Sequence, residues 1–321
     1  MPIPTLPDGR YLPARDGHRV WWCETGLPGG APVLVLHGGP GGRTRLAPFA
    51  WFSGLPVRCI GFDQRGCGRS TPAGGLGHNT LAHLVDDIER LRVEAGVERW
   101  GVAGGSWGAL VAVAYAAAHP QRVSGLFLRS AFLGSDAEVA RFFAPWSAWL
   151  GDEGAGWLGA VSASPLHALD PHGAASRSVS PARVALAWQA FEAAQSPAGG
   201  LAAMPDARFV VPEPVPRGGA PDALPPSLAV QWHYLHNHCF VSPGTLDAWL
   251  AVLQRELAAC PVRLVHGRLD AVCHPDVTAA LAARWPHATV GWVETGGHDM
   301  DAAPMRQALS DATRAWAREL A

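Results

Sequence analysis

The sequence predicts an α/β fold in which a mostly parallel sheet is flanked by helices and one helical segment is inserted. The short, continuous apolar run at residues 32–36 is typical of a strand buried on both faces of a parallel sheet, and other short apolar segments are also predicted as strands. Segments with helical periodicity alternate with these runs, as a helix-covered parallel sheet requires. The alternation stops between residues 134 and 240, where no good strand is found. We therefore predict a core at 1–133, a helical cap at 134–240 and a second core part at 241–321.

The individual elements follow from the same patterns. Strands are predicted at residues 19–24, 32–36, 57–62, 122–132, 262–267 and 289–293. A strand, a glycine-rich turn and a helix are predicted together within residues 99–112. Helices are predicted at 81–95, 245–259, 276–285 and 304–320. Within the cap we expect helices at 137–149 and 181–194, and a long loop at 196–226 because Pro and Gly are frequent there.

Composition and charge exclude several classes of function. With 48% hydrophobic and 16% charged residues, the 321-residue chain can build a large core, and disorder is not expected. The net charge of −2 and the lack of a basic stretch argue against a nucleic-acid partner. No apolar run is long enough for a membrane span, so no membrane partner is expected. The first ten residues have no basic start and no apolar segment, so we expect no signal peptide and a cytoplasmic protein.

The cysteines and histidines do not predict a metal site. The six cysteines show no C-x-x-C spacing and are expected to be reduced thiols; they stand at positions 23, 59, 67, 239, 260 and 273. His233, His236 and His238 are close in sequence, but no H-E-x-x-H motif accompanies them. We therefore expect neither a metal nor a cofactor.

The stretch Gly104-Gly105-Ser106-Trp107-Gly108 fits the pattern G-x-S-x-G, the nucleophile elbow of α/β-hydrolases. A serine on a sharp strand-to-helix turn needs strained backbone angles, and its neighbours must be small to avoid the adjoining strand and helix. The following helix would direct its first amides toward the site of an oxyanion. The alternative is an ordinary Gly/Ser turn between a strand and a helix of any doubly wound sheet. The choice between the two depends on the motifs found elsewhere in the chain.

A second glycine-rich loop, His37-Gly38-Gly39-Pro40-Gly41-Gly42, follows the strand at 32–36. It could cradle a phosphate, but the Gly-Lys-Ser/Thr of a P-loop is missing. Together with a downstream elbow, it is better interpreted as the loop that supplies an oxyanion-hole amide. We predict the amides of Gly39 and Trp107 as the two donors.

Asp270 and His298 complete a candidate catalytic triad with Ser106. Each of the two follows a predicted strand, and the chain order Ser, Asp, His is the one that this fold uses. His298 would act as general base toward Ser106, and Asp270 would orient and stabilise the imidazolium. A turn aspartate and a surface histidine are the alternatives for either residue alone. The coincidence of all three with the oxyanion loop favours the triad.

Four motifs resemble those of the proline iminopeptidases, also called prolyl aminopeptidases. They are residues 37–42, the block Asp63-Gln64-Arg65-Gly66-Cys67-Gly68-Arg69-Ser70, the elbow at 104–108, and Gly267-Arg268-Leu269-Asp270-Ala271-Val272-Cys273. The similarity covers nearly the whole core. It implies an α/β-hydrolase fold with a helical cap. It also implies a serine triad without metal or cofactor, which removes an N-terminal proline from peptides, and a cysteine at position 273.

The resemblance also implies substrate-binding residues, and here the chain departs from the family. In the family, two glutamates hold the free α-amino group of the substrate and a phenylalanine lines the proline pocket. This sequence keeps the first glutamate as Glu192 but has Gln231 and Leu235 at the other two positions. Arg129 and Phe132 match family pocket positions. An esterase or amidase on the same scaffold is therefore the alternative, and a binding homologue without turnover is a third. The oligomeric state stays open.

Overall fold

The computed structural model describes residues 6–145, 188, 191, 224–242 and 244–320. In this part of the chain a single sheet of eight strands forms in the order β1-β2-β4-β3-β5-β6-β7-β8. Their bounds are β1 (Arg10–Tyr11), β2 (Trp21–Gly26), β3 (Ala31–Leu36), β4 (Val57–Phe62), β5 (Trp100–Ser106), β6 (Val123–Ala131), β7 (Val262–Gly267) and β8 (Thr289–Val293).

Strands β3 to β8 run parallel to one another, and β2 pairs antiparallel with both β1 and β4. Because the carboxyl ends of parallel strands meet at one edge, the loops after β3, β5, β6, β7 and β8 are brought together. The residues predicted to be functional in the core lie at or just beyond the carboxyl ends of those strands. The sheet topology therefore brings the predicted functional residues together at one edge of the sheet.

Helices cover both faces of the sheet. Their bounds are α1 (Leu46–Ala50), α2 (Leu81–Glu94), α3 (Trp107–Ala118), α4 (Asp136–Phe143), α5 (Pro226–His236), α6 (Thr245–Glu256), α7 (Pro275–Arg284) and α8 (Ala303–Glu319). α3 is buried over its first ten residues because it lies between the sheet, α2 and α6. Its Ala- and Val-rich sequence suits that position, since small side chains let a helix approach its neighbours closely.

Two apolar clusters lie on opposite faces of the sheet. The larger joins the strands to α2, α3, α6 and α7 through buried side chains such as Ile88, Leu110, Leu253 and Leu281. The smaller joins the strands to α1 and α8. In it, the buried Trp316 ring lies 5.5 Å from Phe127 and 6.3 Å from Phe52, measured between centroids.

The predicted core elements are largely confirmed. Strands β4, β7 and β8 have the predicted bounds, and the predicted helices end within about one turn of the observed ones. The first predicted strand, 19–24, is wrong by two residues, since β2 spans Trp21–Gly26. Two short elements, β1 and α1, were not predicted.

The cap prediction is tested only at its ends. α4 overlaps the first part of the helix predicted at 137–149 and begins one residue before it. α5 is a helix that the pattern did not single out. The predicted helix at 181–194 and loop at 196–226 lie almost wholly outside the described residues. The domain division therefore stays a prediction.

Two expectations about the whole chain can be compared with the described residues. All six cysteines lie among them and none is in a disulfide. The helices described here include none with the length and apolarity to cross a membrane.

Candidate active site

Ser106 ends β5 with a backbone conformation that is rare for a residue with a side chain, φ 55° and ψ −126°. Glycines make the turn possible. A Cβ on Gly104 would lie 2.2 Å from the carbonyl oxygen of Gly108, and one on Gly108 would lie 2.7 Å from that of Leu36. Larger residues at either position would force the strand, the helix and the neighbouring strand apart. The predicted elbow geometry is therefore present.

Arg129 crosses the elbow from the neighbouring strand β6. It pairs with Gly105 in the sheet register, and a Cβ on Gly105 would lie 3.0 Å from its Nε. The guanidinium is buried, and burial lowers the pKa of Arg129 while Asp270 acts to raise it. One terminal nitrogen donates to the carbonyl oxygen of His298 at 2.9 Å. Arg129 thus ties the backbone at His298 to the sheet.

His298 and Asp270 form a hydrogen-bonded pair beside this elbow. Nδ1 of His298 lies 2.9 Å from Oδ2 of Asp270 and 3.1 Å from Oδ1. An ionised carboxylate can only accept hydrogen bonds, so Nδ1 carries the hydrogen and the lone pair of the neutral ring is on Nε2. This tautomer is the one that a general base needs.

Asp270 stays ionised although its side chain is fully buried. Burial acts to raise its pKa, but the nearby His298 and His266 and the backbone amide of Cys273 outweigh it, so the pKa lies well below the usual range. The amides of Val272 and Cys273 donate to Oδ1 at 3.0 and 2.8 Å. The turn after β7 is therefore built around the carboxylate.

The Ser106 hydroxyl contacts Cys273 in this structure. Its Oγ lies 3.6 Å from the Sγ of Cys273, and within the described part of the chain no hydrogen bond joins it to His298. Catalytic hydrogen bonds are often long or misaligned before substrate is bound, so a triad does not require a hydrogen bond between Ser106 and His298 in this state. The contact does place the predicted cysteine beside Ser106.

The loop after β3 packs tightly against the elbow. A Cβ on Gly38 would lie 3.3 Å from the carbonyl oxygen of Gly105, and Gly39 has φ +136°, which glycine adopts without strain. Behind the loop, Nε2 of the buried His37 accepts from the amide of Gln64 at 3.0 Å, so its Nδ1 donates to the carbonyl oxygen of Gly38 at 2.8 Å. The loop that carries the predicted Gly39 donor is thereby fixed.

Trp107, the other predicted oxyanion donor, is held by its indole ring. Nε1 donates to Oε1 of Gln64 at 2.8 Å, and the ring lies 4.7 Å from that of Tyr234 on α5. Tyr234 in turn donates to Oδ1 of Asn79 at 2.7 Å. Gln64 belongs to the motif at residues 63–70, but no individual role was predicted for it. No sequence pattern pointed to Asn79.

Two cavities open at this edge of the sheet. The larger, of about 820 Å³, is lined among the described residues by Ser106, His298, Arg129 and Gly39. Among the described residues, the charged side chains that line it are those of Arg43, Arg45, Arg129, Asp299 and Asp301. The smaller, of about 320 Å³, has Phe132 and Cys273 in its wall together with apolar residues, including Leu133, Leu246 and Leu250. Both cavities share Phe142 and Val272.

The other predicted substrate-binding residues are Glu192, Gln231 and Leu235. Glu192 lies outside the described residues. Gln231 and Leu235 are half-buried on α5, where Leu235 packs against the main apolar cluster. Neither is among the described residues that line the two cavities. Over the described chain, no group of three or more His, Cys, Asp or Glu side chains could hold a metal ion.

Comparison with known proteins shows the family of this chain. The family model of the alpha/beta hydrolase fold matches residues 31–300. A probable proline iminopeptidase of Leptolyngbya boryana is 34% identical over 94% of this chain and 92% of its own length. The proline iminopeptidase of Neisseria gonorrhoeae is also 34% identical, over 94% of both chains.

Solved structures support the fold at lower identity. A proline iminopeptidase-related protein of Thermus thermophilus superposes with a TM-score of 0.57 at 22% identity, covering 98% of both chains. An esterase of a Rhodococcus species gives a TM-score of 0.60 at 20% identity, covering 98% of this chain and 99% of its own. The molecule is an α/β-hydrolase. Within that class, the chain belongs to the proline iminopeptidase family.

Proposed function

We propose that the chain is a serine hydrolase that releases an N-terminal proline, or a similar small residue, from short peptides or aminoacyl amides. The observation that carries the proposal is the Asp270–His298 pair, 2.9 Å apart, beside a serine held at a strained elbow. In a hydrolase of this family, those three side chains have the chemistry of an acyl-transfer triad. The six unpaired cysteines support action in the cytoplasm, where thiols stay reduced.

Each residue of the triad has one role in the proposed reaction. Nε2 of His298 takes the proton of Ser106 as Oγ bonds to the substrate carbonyl carbon, and Asp270 stabilises the imidazolium that forms. The carbonyl oxygen becomes an oxyanion that accepts from the amides of Gly39 and Trp107. The imidazolium then gives its proton to the leaving amine as the amide bond breaks. Water, deprotonated by His298, hydrolyses the acyl-enzyme and frees Ser106.

The smaller cavity is suited to the side chain of the released residue. Its wall combines apolar side chains with charged ones from α4, α6 and α7. The Sγ of Cys273, which also lines this cavity, lies 3.6 Å from the Ser106 hydroxyl oxygen. A proline ring or a small aliphatic side chain offers apolar area and no polar group, so the apolar part of this wall, around Phe132, accommodates it without leaving a donor unpaired. We assign Phe132 to this pocket, and Arg129 to the wall of the cavity beyond it.

An esterase or amidase that does not require a free α-amine is the second candidate. The observation in its favour is the neutral Gln231 where the family has a glutamate. A cap with one fewer negative charge holds a substrate ammonium less strongly, so an acyl group without an amine loses less by comparison. A panel of prolyl-, alanyl- and N-acetylprolyl-anilides beside a short-chain ester separates the two candidates.

Ser106→Ala tests the triad itself. We expect kcat to fall by roughly 10⁴-fold or more, since the nucleophile is lost while binding and the oxyanion donors remain. Labelling by a fluorophosphonate probe should be lost as well. Far-UV circular dichroism and the thermal midpoint serve as controls for folding. Activity close to that of the parent in a folded Ser106→Ala protein would contradict the assignment.

A further inference from the structure

His266 is a fully buried histidine that the proposed reaction does not use. It lies near the end of β7, four residues before Asp270. Nδ1 lies 2.6 Å from the hydroxyl oxygen of Thr278 on α7, and Nε2 lies 2.8 Å from the carbonyl oxygen of Cys273. The same Nε2 lies 3.5 Å from Oδ2 of Asp270. One ring therefore connects the sheet, α7 and the turn that carries the carboxylate.

The tautomer of His266 follows from its partners. A carbonyl oxygen only accepts, so Nε2 must carry the hydrogen that faces Cys273 and Asp270. Nδ1 then accepts the hydrogen of the Thr278 hydroxyl. Burial, the largest influence, lowers the pKa of this histidine, although Asp270 acts to raise it. The neutral ring thus presents a fixed N–H dipole to the rear of the carboxylate without a competing positive charge.

The two carboxylate oxygens of Asp270 are supported differently. Both oxygens lie close to Nδ1 of His298, at 3.1 Å for Oδ1 and 2.9 Å for Oδ2. Oδ1 also accepts from the amides of Val272 and Cys273, whereas Oδ2 faces His266. The 3.5 Å separation is too long for a strong hydrogen bond, and its effect is electrostatic. The stronger bond, to the Cys273 carbonyl, fixes the turn itself.

We propose that His266 is a positioning residue for the Asp270–His298 pair, acting through its Nε2–H on the Asp270–Cys273 turn and on Oδ2. The inference rests on the triad proposed above. Without that N–H, Oδ2 has one polar neighbour fewer and the turn loses an anchor. The proton affinity of the Asp270–His298 pair then rises, and the imidazole is held less firmly in the orientation that the transition state requires.

Three variants at position 266 test this. His266→Gln places an amide N–H near the position of Nε2, His266→Asn places it near that of Nδ1, and His266→Leu removes it. We expect His266→Leu and His266→Asn to lower kcat about tenfold with little change in KM, since the loss falls on the transition state. The acid limb of the kcat/KM profile should move up by about half a unit, because Asp270 becomes more basic. His266→Gln should recover most of the activity and the parental acid limb.

Thr278→Val is the matched control. It removes the hydrogen bond on the other side of the same ring and leaves the Nε2–H facing Asp270. We expect a lower thermal midpoint but kcat within about threefold of the parent and an unshifted acid limb. The other charged or titratable groups near Asp270 are His298, Arg129 and the Cys273 thiol, and all the variants keep them.

The outcomes separate this inference from the proposed function. If Ser106→Ala keeps activity, the triad fails and the inference fails with it. If Ser106→Ala is inactive but His266→Asn keeps the parental kcat and acid limb, the inference alone is overturned. Equal losses in His266→Gln, His266→Asn and Thr278→Val, with no pH shift, would assign His266 a purely structural role and would also overturn it. Should His266→Leu fail to fold, the Gln and Asn pair decides the question.

Discussion

Cys273 is the residue whose environment most directly links the proposed triad to the proposed substrate pocket. Its sulfur lies 3.6 Å from Oγ of Ser106, its amide donates to Asp270, and its side chain contributes to the smaller cavity. Burial raises the pKa of its thiol far above the ordinary value, with the Asp270 charge adding to the effect. The thiol is therefore protonated at neutral pH, and it is a neighbour of the nucleophile without being a nucleophile itself.

We expect a bulky thiol reagent to inhibit the enzyme by blocking this pocket. Inhibition should be slow at neutral pH and accelerate as the pH rises, since the reactive thiolate becomes more populated. Cys273→Ser should keep most of the activity but lose the sensitivity. Cys260→Ser is the matched control, because it removes the more exposed thiol and should leave inhibition unchanged. If Cys273→Ser is inhibited as fast as the parent, a different thiol is responsible.

At the scale of elements, the core was predictable because its signals are local. The strands β4, β7 and β8 are short segments rich in apolar residues, although arginines interrupt the first two. The elbow is a short pattern of glycines around a serine. The proposed triad could be recognised because Ser106, Asp270 and His298 each stand at the end of a predicted strand, in the chain order that the fold uses. The role of His266 was not predictable, since its partners Thr278 and Cys273 come from a later helix and turn that meet only in the folded sheet.

The short elements were missed for a related reason. β1 consists of two exposed residues that pair with β2, and α1 has five residues, so neither carries a periodic pattern. α5 has only a weak sequence signal because apolar and polar residues alternate irregularly along it. Its position is set instead by contacts with the core, such as the hydrogen bond from Tyr234 to Asn79.

A buried ion pair joins two of the predicted elements. Nε of Arg65, in the loop after β4, donates to Asp87 on α2 at 2.6 Å, and both side chains are fully buried. A second nitrogen of the guanidinium reaches the carbonyl oxygen of His78 at 2.6 Å. The pair fixes the loop that also carries Gln64, the partner of Trp107. Its main contribution is therefore to hold this loop against α2.

Arg65→Met should destabilise the protein by about 3–5 kcal/mol, because it leaves the Asp87 carboxylate buried without its main partner. The double variant Arg65→Met with Asp87→Leu should lose less than Arg65→Met alone. Arg284→Met, which breaks an exposed pair with Asp247, is the control and should cost no more than about 1 kcal/mol. Urea unfolding measures all three. A double variant less stable than Arg65→Met would contradict this account.

At the scale of the whole molecule, the end of the predicted cap and the core share one site. α5 contacts the oxyanion loop directly, since a Cβ on Gly41 would lie 2.0 Å from the carbonyl oxygen of Ser227. The same helix packs Val230 against Gly66 and Tyr234 against Trp107. A change of sequence on α5 can therefore alter substrate preference and the oxyanion donors together. Gln231 lies on this helix.

Gln231→Glu tests what the predicted cap recognises. A protonated α-amine that enters a closed pocket loses hydration and needs compensating negative charge. A charge-assisted hydrogen bond contributes about 1.5–3 kcal/mol, against about 1 kcal/mol for a neutral one. We therefore expect Gln231→Glu to raise kcat/KM for a prolyl-anilide several-fold and to leave the N-acetylated substrate unchanged or worse. Glu192→Gln should do the reverse, and more severely.

Matched free-amine and N-acetyl substrates make this test specific to the amine, because any effect of α5 on Trp107 changes both substrates alike. The ratio of the two kcat/KM values isolates the charge at position 231 from the alignment of the oxyanion donors. If Gln231→Glu lowers activity on the best substrate and leaves that ratio unchanged, position 231 is adapted, together with Leu235, to an acyl group without an amine. The esterase or amidase candidate would then replace the aminopeptidase.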